Sequence, residues 1–204
     1  GQETAGRPVA SGPVTGTTIA DLGLRAKAAS RVLATTSTTR KDRALPAAAN
    51  GLVAATTRTL EANAVDVARA EAQGVSATVV DRLRLTPARV EAMAGGLRQV
   101  AGLPDPVGEV LDGWVRPNGL RISRVRVPLG VVAIIYENRP NVTSDAAGLC
   151  LKSGNAAFLR GSSGAISSNI AIATVLRAAY EEAGLPADAL VLVEDTSREA
   201  AVEF

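Results

Sequence analysis

The chain has 204 residues, of which 47% are hydrophobic and only 2% aromatic, so aliphatic side chains must form its core. Its 22 basic and 20 acidic residues nearly balance, and it contains no histidine and one cysteine, Cys150. Within these residues this composition excludes a serine–histidine or cysteine–histidine nucleophile pair, a histidine metal site and an internal disulfide. We predict no metal site.

The location of the protein is predicted from three features. A single unpaired cysteine is typical of a reducing compartment. No apolar run approaches the ~18 residues of a membrane span, and the N-terminus has no basic region followed by an apolar stretch. We therefore expect no membrane partner, no signal peptide and a cytoplasmic location.

The first half of the chain is predicted to be helical. Residues 1–17 contain glycines and prolines without an apolar period, which indicates a flexible tail. We assign residues 18–113 to a helical segment, in which Thr18 caps the first helix. A long alanine-rich helix is predicted over residues 45–73, ending at Gly74, and a shorter one begins at the Thr86–Pro87 step.

A β-hairpin is predicted over residues 114–127. The turn residues Pro117, Asn118 and Gly119 lie between alternating stretches, which is a strong hairpin signal. In the second arm the apolar positions switch parity. A bulge near Ser123 and Arg124 would return apolar side chains to the buried face.

Residues 116–126 contain four arginines and no acid, namely Arg116, Arg121, Arg124 and Arg126. Such a stretch is compatible with nucleic-acid binding, with a solvated strand face or with an oligomer contact. No aromatic residues are interleaved with the arginines and no binding motif is present, so we favour the last two and expect no nucleic-acid partner.

Residues 128–204 are predicted to form a parallel α/β unit. Three apolar runs, at 131–135, 156–159 and 190–193, alternate with two helical patterns, which gives the order β-α-β-α-β. The first run is continuous, as in a strand covered on both faces. The helix after it is expected to begin at Thr143 or Ser144 and to end at Gly154.

In such a sheet, ligands bind beyond the carboxyl ends of the strands, which here are residues 136–139, 160–163 and 194–196. The turn at 161–164 precedes a predicted helix N-terminus, whose free N–H groups favour an anion, and Arg160 adds a positive charge. The alternative is that the glycines and serines are ordinary turn and capping residues and that Arg160 pairs with a surface acid. The pattern alone does not decide between these.

Other candidate sites are weaker. No G-x-G-x-x-G occurs, and Leu151 stands where a nucleotide-triphosphate loop needs glycine before Lys152. Asn138, Arg139 and Asn141 could hold a carbonyl oxygen or a phosphate, or could merely cap a turn. Cys150 lies on the apolar part of a predicted helix, so we expect it to be buried and unreactive.

Several long strings carry a resemblance to a known family. Residues 126–143, 149–155 and 159–162, with upstream matches at 81–83, 103–108 and 116–120, closely resemble the γ-glutamyl phosphate reductases, also called glutamate-5-semialdehyde dehydrogenases. The likeness covers roughly residue 20 to the end. The family belongs to the aldehyde dehydrogenase superfamily, which binds its cofactor without a G-x-G-x-x-G.

The resemblance implies an α/β fold, with N-terminal helices and a hairpin followed by the parallel sheet of an aldehyde dehydrogenase-like, Rossmann-type cofactor domain. The implied activity is the NADPH-dependent reduction of L-glutamyl 5-phosphate to the semialdehyde, with release of phosphate, in proline biosynthesis. It implies a cysteine thioester as intermediate and a homo-oligomeric enzyme.

The resemblance also implies roles for particular residues. Asn138 matches the asparagine that holds the oxyanion, and Arg139 and Asn141 become candidates for the phosphate or carboxylate of the substrate. The residues implied to bind NADPH/NADP are Ile135, Tyr136, Glu137, Arg160, Gly161, Ser162 and Ser163. Among these, Arg160 suits the 2′-phosphate, and the two serines would cap a helix against the same group.

Members of the family are longer than this chain. We therefore expect residues 18–204 to be part of an NADP-binding domain, with the catalytic domain and its cysteine beyond residue 204, and the chain alone to be inactive. The alternative is a non-catalytic fragment that binds a nucleotide or self-associates, because an incomplete parallel sheet leaves unpaired backbone groups.

Overall fold

The computed structural model describes residues 17–204, so the predicted tail, apart from Thr17, lies outside the described residues. Five helices come first: α1 (Ile19–Leu33), α2 (Thr38–Ala54), α3 (Thr56–Ala72), α4 (Ala77–Leu83) and α5 (Pro87–Gly102). The rest consists of β1 (Val110–Val115), β2 (Arg121–Val125), β3 (Val131–Ile135), α6 (Asn141–Lys152), β4 (Ala156–Arg160), α7 (Ile166–Glu182), β5 (Leu190–Leu192) and α8 (Arg198–Glu203). Among residues 17–204, no helix has the length and apolar character needed to cross a membrane.

Two predicted helix starts are confirmed. Thr18 forms a capping box with Asp21, in which each side chain accepts a hydrogen bond from the backbone N–H of the other residue. Thr86 Oγ accepts a hydrogen bond from the N–H of Arg89 at 3.2 Å, and Pro87 occupies the first turn of α5, where no N–H is needed.

The single long helix predicted over residues 45–73 is wrong. The chain turns at Ala55, with φ −93° and ψ 12°, and this residue separates α2 from α3. Leu45 and Leu52 of α2 are buried in the main core, whereas Val67 of α3 belongs to a second, smaller cluster. The heptad spacing thus joins side chains that pack into different cores.

The hairpin is confirmed but begins earlier, since β1 starts at Val110 inside the segment predicted to be helical. Gly119, at φ +85°, closes the turn and donates its N–H to Arg116 O at 2.8 Å. The irregularity lies in β1, between Val110 and Asp112, and not in β2 where we predicted the bulge. The parity switch has a different cause, because the hairpin has no fully buried face to restore.

The parallel sheet is confirmed, with the order β3-β4-β5. The central strand β4 is covered on both faces, but β3 is an edge strand whose Ile135 is 62% exposed, so the prediction that both faces of β3 are covered is wrong. Helix α6 starts at Asn141, two residues before the first predicted start, and Gly154, at φ +76°, follows its end.

Helix α2 lies at the centre of the molecule, against α5, α6 and α7. Its Lys41 is fully buried, with Nζ 2.5 Å from the carboxylate of Asp105 and 3.0 Å from the carbonyl of Lys152. Lys152 in turn places its Nζ 2.5 Å from Asp42. These pairs compensate for the burial of two ammonium groups among aliphatic side chains.

Candidate functional site

The carboxyl edge of the parallel sheet brings together the three strand ends identified in the sequence. Tyr136 N donates to Arg160 O at 3.1 Å, which extends the pairing of β3 and β4 by one residue. The guanidinium of Arg160 donates to Thr196 O and Ser197 O, in the loop after β5, at 3.3 and 2.7 Å. The edge is thus held together by the chain's own hydrogen bonds.

Asn138 is held in a fixed orientation at this edge. It has φ +34°, the only positive φ of a non-glycine residue among residues 17–204. Ser162 Oγ accepts from the N–H of Asn138 at 3.3 Å and donates to its Oδ1 at 2.9 Å. A Cβ on Gly164 would lie 2.4 Å from the same Oδ1. Because Oδ1 is bound to Ser162, Nδ2 is left as a donor, which suits an oxyanion.

Two residues of the predicted cofactor set lie inside the protein. The Tyr136 hydroxyl lies 2.7 Å from Thr143 Oγ, and burial raises the pKa of this tyrosine to about 12. Gly161 is buried over Asn169, and a Cβ on this glycine would lie 2.2 Å from Asn169 Nδ2. These residues can contact a ligand only through their backbone. Ile135 and Glu137, by contrast, are exposed.

The N-terminus of α7 already holds a negatively charged group. Asp66 of α3, whose side chain is fully buried, accepts from Ser167 N at 3.3 Å and from Ser168 N and Oγ at 2.7 Å each. Two of the N–H groups at this N-terminus, those of Ser167 and Ser168, are therefore already bound by a carboxylate of the chain itself, and an anion site at the 161–164 turn stays a prediction. Neither Ser162 nor Ser163 caps the helix through its side chain.

The hydrogen bonds of Arg160 go to neutral groups. Its two acceptors are neutral carbonyl groups, and its Nε is buried without a partner among residues 17–204. The nearby Asp195 has a lowered pKa, chiefly because Ser197 hydrogen-bonds to its carboxylate, with a smaller contribution from the charge of Arg160. The carbonyl groups position the guanidinium without neutralising it.

A second region of interest is a cavity of about 470 Å³, which we call the arginine-lined cavity. Arg139 and Asn141, our candidates for substrate contacts, both line it. Its other lining residues come from α4, the segment after it, α5 and α6: Asp81, Arg82, Arg84, Leu85, Arg89, Ala92, Met93 and Asp145. Sequence reasoning did not assign these a function, because only tertiary packing brings them together.

Comparison with known proteins comes from sequence and from structure. No protein-family model matches the chain. The γ-glutamyl phosphate reductase of Paramagnetospirillum magneticum is 55% identical over 180 residues, which are 88% of this chain and 43% of that protein. The enzyme of the same name from Thermoanaerobacter sp. is 54% identical over 175 residues, or 86% of this chain and 42% of that protein. The chain thus spans less than half the length of these relatives.

Solved structures agree. The γ-glutamyl phosphate reductase of Thermotoga maritima superposes with a TM-score of 0.88 at 43% identity, over 90% of this chain and 44% of that one. The Saccharomyces cerevisiae protein of that name superposes with a TM-score of 0.82 at 30% identity, over 88% of this chain and 47% of that one. A salicylaldehyde dehydrogenase from Pseudomonas putida shares the fold alone. It superposes with a TM-score of 0.64 at 20% identity, over 90% of this chain and 35% of that one. The chain therefore belongs to the γ-glutamyl phosphate reductase family, of which it corresponds to an N-terminal portion, and it has the aldehyde dehydrogenase fold.

Proposed function

We propose that this chain supplies the cofactor-binding portion of an NADPH-dependent reductase in proline biosynthesis. The reaction converts L-glutamyl 5-phosphate to L-glutamate 5-semialdehyde and releases phosphate, in the cytoplasm. The observation that carries this proposal is the 53–56% identity, over 86–95% of the chain, to proteins named γ-glutamyl phosphate reductase. We propose residues 18–204 as part of the NADP-binding domain.

The carboxyl edge of the sheet fits a phosphorylated nicotinamide cofactor, which when bound supplies the hydride. Arg160 offers a guanidinium whose hydrogen-bond acceptors are carbonyl groups and whose Nε has no partner among residues 17–204, and the exposed Ser163 lies three residues further along the chain. A dianionic 2′-phosphate suits these two groups. Ile135 offers exposed apolar surface, and the exposed Glu137 can accept hydrogen bonds from ribose hydroxyls.

The acyl-transfer step depends on Asn138 and on a nucleophile. Asn138 Nδ2, set by Ser162, donates to the oxyanion that develops as a thiolate attacks the acyl phosphate, a thioester forms and phosphate leaves. Cys150 is unsuited to this attack, because it is 7% exposed and burial raises the pKa of its thiol to about 11. We therefore assign the nucleophile to a cysteine outside these 204 residues and propose that the chain alone is inactive.

A second candidate function is self-association through the hairpin. Six large apolar side chains of the hairpin are 43–63% exposed, namely Val110, Leu111, Trp114, Val115, Leu120 and Val125. Large contiguous apolar patches on a protein surface mark interaction sites. We propose that a second copy of the protein covers these side chains, as the homo-oligomer implied by the resemblance would require.

Cofactor binding by the purified chain tests the proposal. The fluorescence of NADPH and of NADH is titrated against the wild type, Arg160→Gln and the control Arg31→Gln, whose exposed arginine lies in the last turn of α1. We expect Arg160→Gln to weaken NADPH binding by at least ~10-fold, with little effect on NADH, because it removes a charge-assisted contact. An unchanged preference between the two cofactors, or a folded chain that binds neither, refutes this assignment.

Two further measurements address inactivity and self-association. We expect no NADPH-dependent turnover of the chain by itself, and turnover that survives Cys150→Ser would contradict the assignment of the nucleophile. Light scattering measures mass in solution. We expect an oligomer that dissociates in Trp114→Glu, whereas a wild-type monomer at all concentrations would exclude self-association.

A further inference from the structure

The arginine-lined cavity has no assigned ligand. We propose that it binds the α-amino-acid head group of the substrate, with Arg139 on the α-carboxylate and Asp145 on the α-ammonium group. This inference rests on the proposed function and specifies which end of L-glutamyl 5-phosphate enters the cavity. The distal phosphate then lies outside it.

Ion pairing within the cavity leaves few charges free. Arg89 pairs with the carboxylate of Asp81 at 3.2 Å and donates to the carbonyls of Asp81 and Arg84. Arg84 pairs with Glu71 at 2.7 Å. Two cavity arginines, Arg82 and Arg139, are exposed, and their guanidinium groups have no ion-pair or hydrogen-bond partner within residues 17–204.

Asp145 provides the opposite charge. Its Oδ2 accepts a hydrogen bond from Asn141 Nδ2 at 3.0 Å, one turn earlier on α6, and this neutral donor does not cancel the carboxylate charge. Gly96 of α5 lies beside this carboxylate, where a Cβ would be 3.7 Å from Asp145 Oδ1, an ordinary van der Waals distance.

The combination of charges selects a zwitterion. A site for a dianionic phosphate alone would gain from the arginines but would be opposed by Asp145. An amino-acid head group has one carboxylate and one ammonium group, which match the guanidinium of Arg139 and the carboxylate of Asp145 that line the same cavity. The volume of about 470 Å³ lies within the ordinary range for small-molecule pockets, and Leu85, Ala92 and Met93 provide apolar surface for the methylene groups.

The position of the cavity relative to Asn138 supports the same orientation. Arg139 is the next residue in the chain, and Asn141 and Asp145 begin the helix that follows. The segment from Asn138 to Asp145 therefore carries both the donor for the reacting carbonyl and the groups for the head of the substrate. The glutamyl side chain would connect the two sites, so that binding of the head group positions the acyl carbonyl at Asn138.

The test uses the purified chain labelled with ¹⁵N and four probes: L-glutamate, glutarate, 4-aminobutyrate and inorganic phosphate. We expect L-glutamate to shift the amide signals of Arg139, Asn141 and Asp145 in a saturable manner. Glutarate lacks the ammonium group and 4-aminobutyrate lacks the α-carboxylate, so each should bind at least ~10-fold more weakly. Phosphate should not displace L-glutamate. Absence of a saturable shift with L-glutamate, or equal affinity for glutarate, overturns the inference.

Variants assign the charges. We expect Arg139→Gln and Asp145→Asn each to weaken L-glutamate binding by ~10-fold or more, and Asp145→Asn to abolish the preference over glutarate. Arg31→Gln, in the last turn of α1, is the matched control and should bind as the wild type. If Arg139→Gln also binds as the wild type, the inference is wrong.

The same samples separate this inference from the proposed function. NADPH binding without L-glutamate binding refutes the head-group site and leaves the cofactor assignment standing. L-Glutamate binding without NADPH binding supports the head-group site and removes the cofactor assignment.

Discussion

Replacement of Asp66 by asparagine tests whether an internal carboxylate is what stabilises the start of α7. The substitution keeps the shape of the side chain but removes its charge and converts one acceptor oxygen to a donor. Both oxygens are in use: Oδ1 accepts from Ser167 N and Arg69 Nη1, and Oδ2 accepts from Ser168 N and Oγ. Every orientation of the amide therefore places an N–H₂ group against donors.

The expected loss of stability follows from these contacts. Losing one charge-assisted hydrogen bond in a buried site costs about 1.5–3 kcal/mol. Losing a negative charge at a helix N-terminus costs a further ~0.3–1 kcal/mol, and up to ~2 kcal/mol where the site is buried. Because Asp66 is fully buried, we expect the free energy of unfolding to fall by about 2–4 kcal/mol.

Urea unfolding followed by circular dichroism measures this change, with the dependence on urea expected to be unchanged. Asp112→Asn is a matched control, since Asp112 pairs with Arg124 on the hairpin and its side chain is 41% exposed. An exposed pair contributes about 0–1 kcal/mol. If the two variants lose equal stability, or if Asp66→Asn loses less than the control, the reasoning about α7 is refuted.

Three other predictions concern buried groups, each with its own measurement. Gly161→Ala should lower the free energy of unfolding, measured by urea titration, by about 1–3 kcal/mol, because its Cβ would lie 2.2 Å from Asn169 Nδ2. Gly74→Ala is the comparison: Gly74 has a positive φ but no atom near its Cβ position, so this variant shows the effect of backbone strain without a clash. Lys41→Met should cost about 3–5 kcal/mol by leaving the carboxylate of Asp105 unpaired. Burial alone would raise the pKa of Asp105, but hydrogen bonds from Lys41, Thr38 and Val107 lower it, so the stabilisation by this carboxylate is full above pH 3.8 and is lost as the pH falls through the lowered pKa. The free energy of unfolding measured against pH should therefore show this acid loss in the wild type and not in Lys41→Met. Cys150, whose pKa is raised to about 11, should react with a thiol reagent at pH 8 far more slowly in the folded chain than in urea, and equal rates would show that the thiol is accessible.

The sequence predicted the elements whose evidence is local. The apolar runs of β3, β4 and β5, the cap at Thr18 and the helix start at the Thr86–Pro87 step depend on neighbouring residues, and all were located correctly. The errors arose where the outcome depends on distant contacts. A heptad spacing in one stretch cannot show that Ala55 divides it between two cores, and a continuous apolar run does not show whether its strand is central or at the edge of the sheet.

The candidate site shows the same limit. The strand ends and the residues that follow them were predictable, because parallel strands place their carboxyl ends at one edge. Asp66 was not, since it lies about 100 residues before the helix that it caps. Arg82 was not assigned a role either, because α4 and the turn after β3 meet only in the folded chain.

Asp66 and Arg160 together determine where the negative groups of a nucleotide can lie. In a sheet with a G-x-G-x-x-G turn, the diphosphate binds at a helix N-terminus. Here that motif is absent, and the N-terminus of α7 is occupied by Asp66, so a diphosphate at this helix would meet a buried carboxylate. Two positive charges lie nearby: Arg69, which pairs with Asp66 and donates to Ser163 O, and Arg160, which carbonyl groups position without cancelling its charge. A cofactor bound at this edge would therefore gain most from a phosphate on its ribose, so discrimination between NADPH and NADH should depend on Arg160.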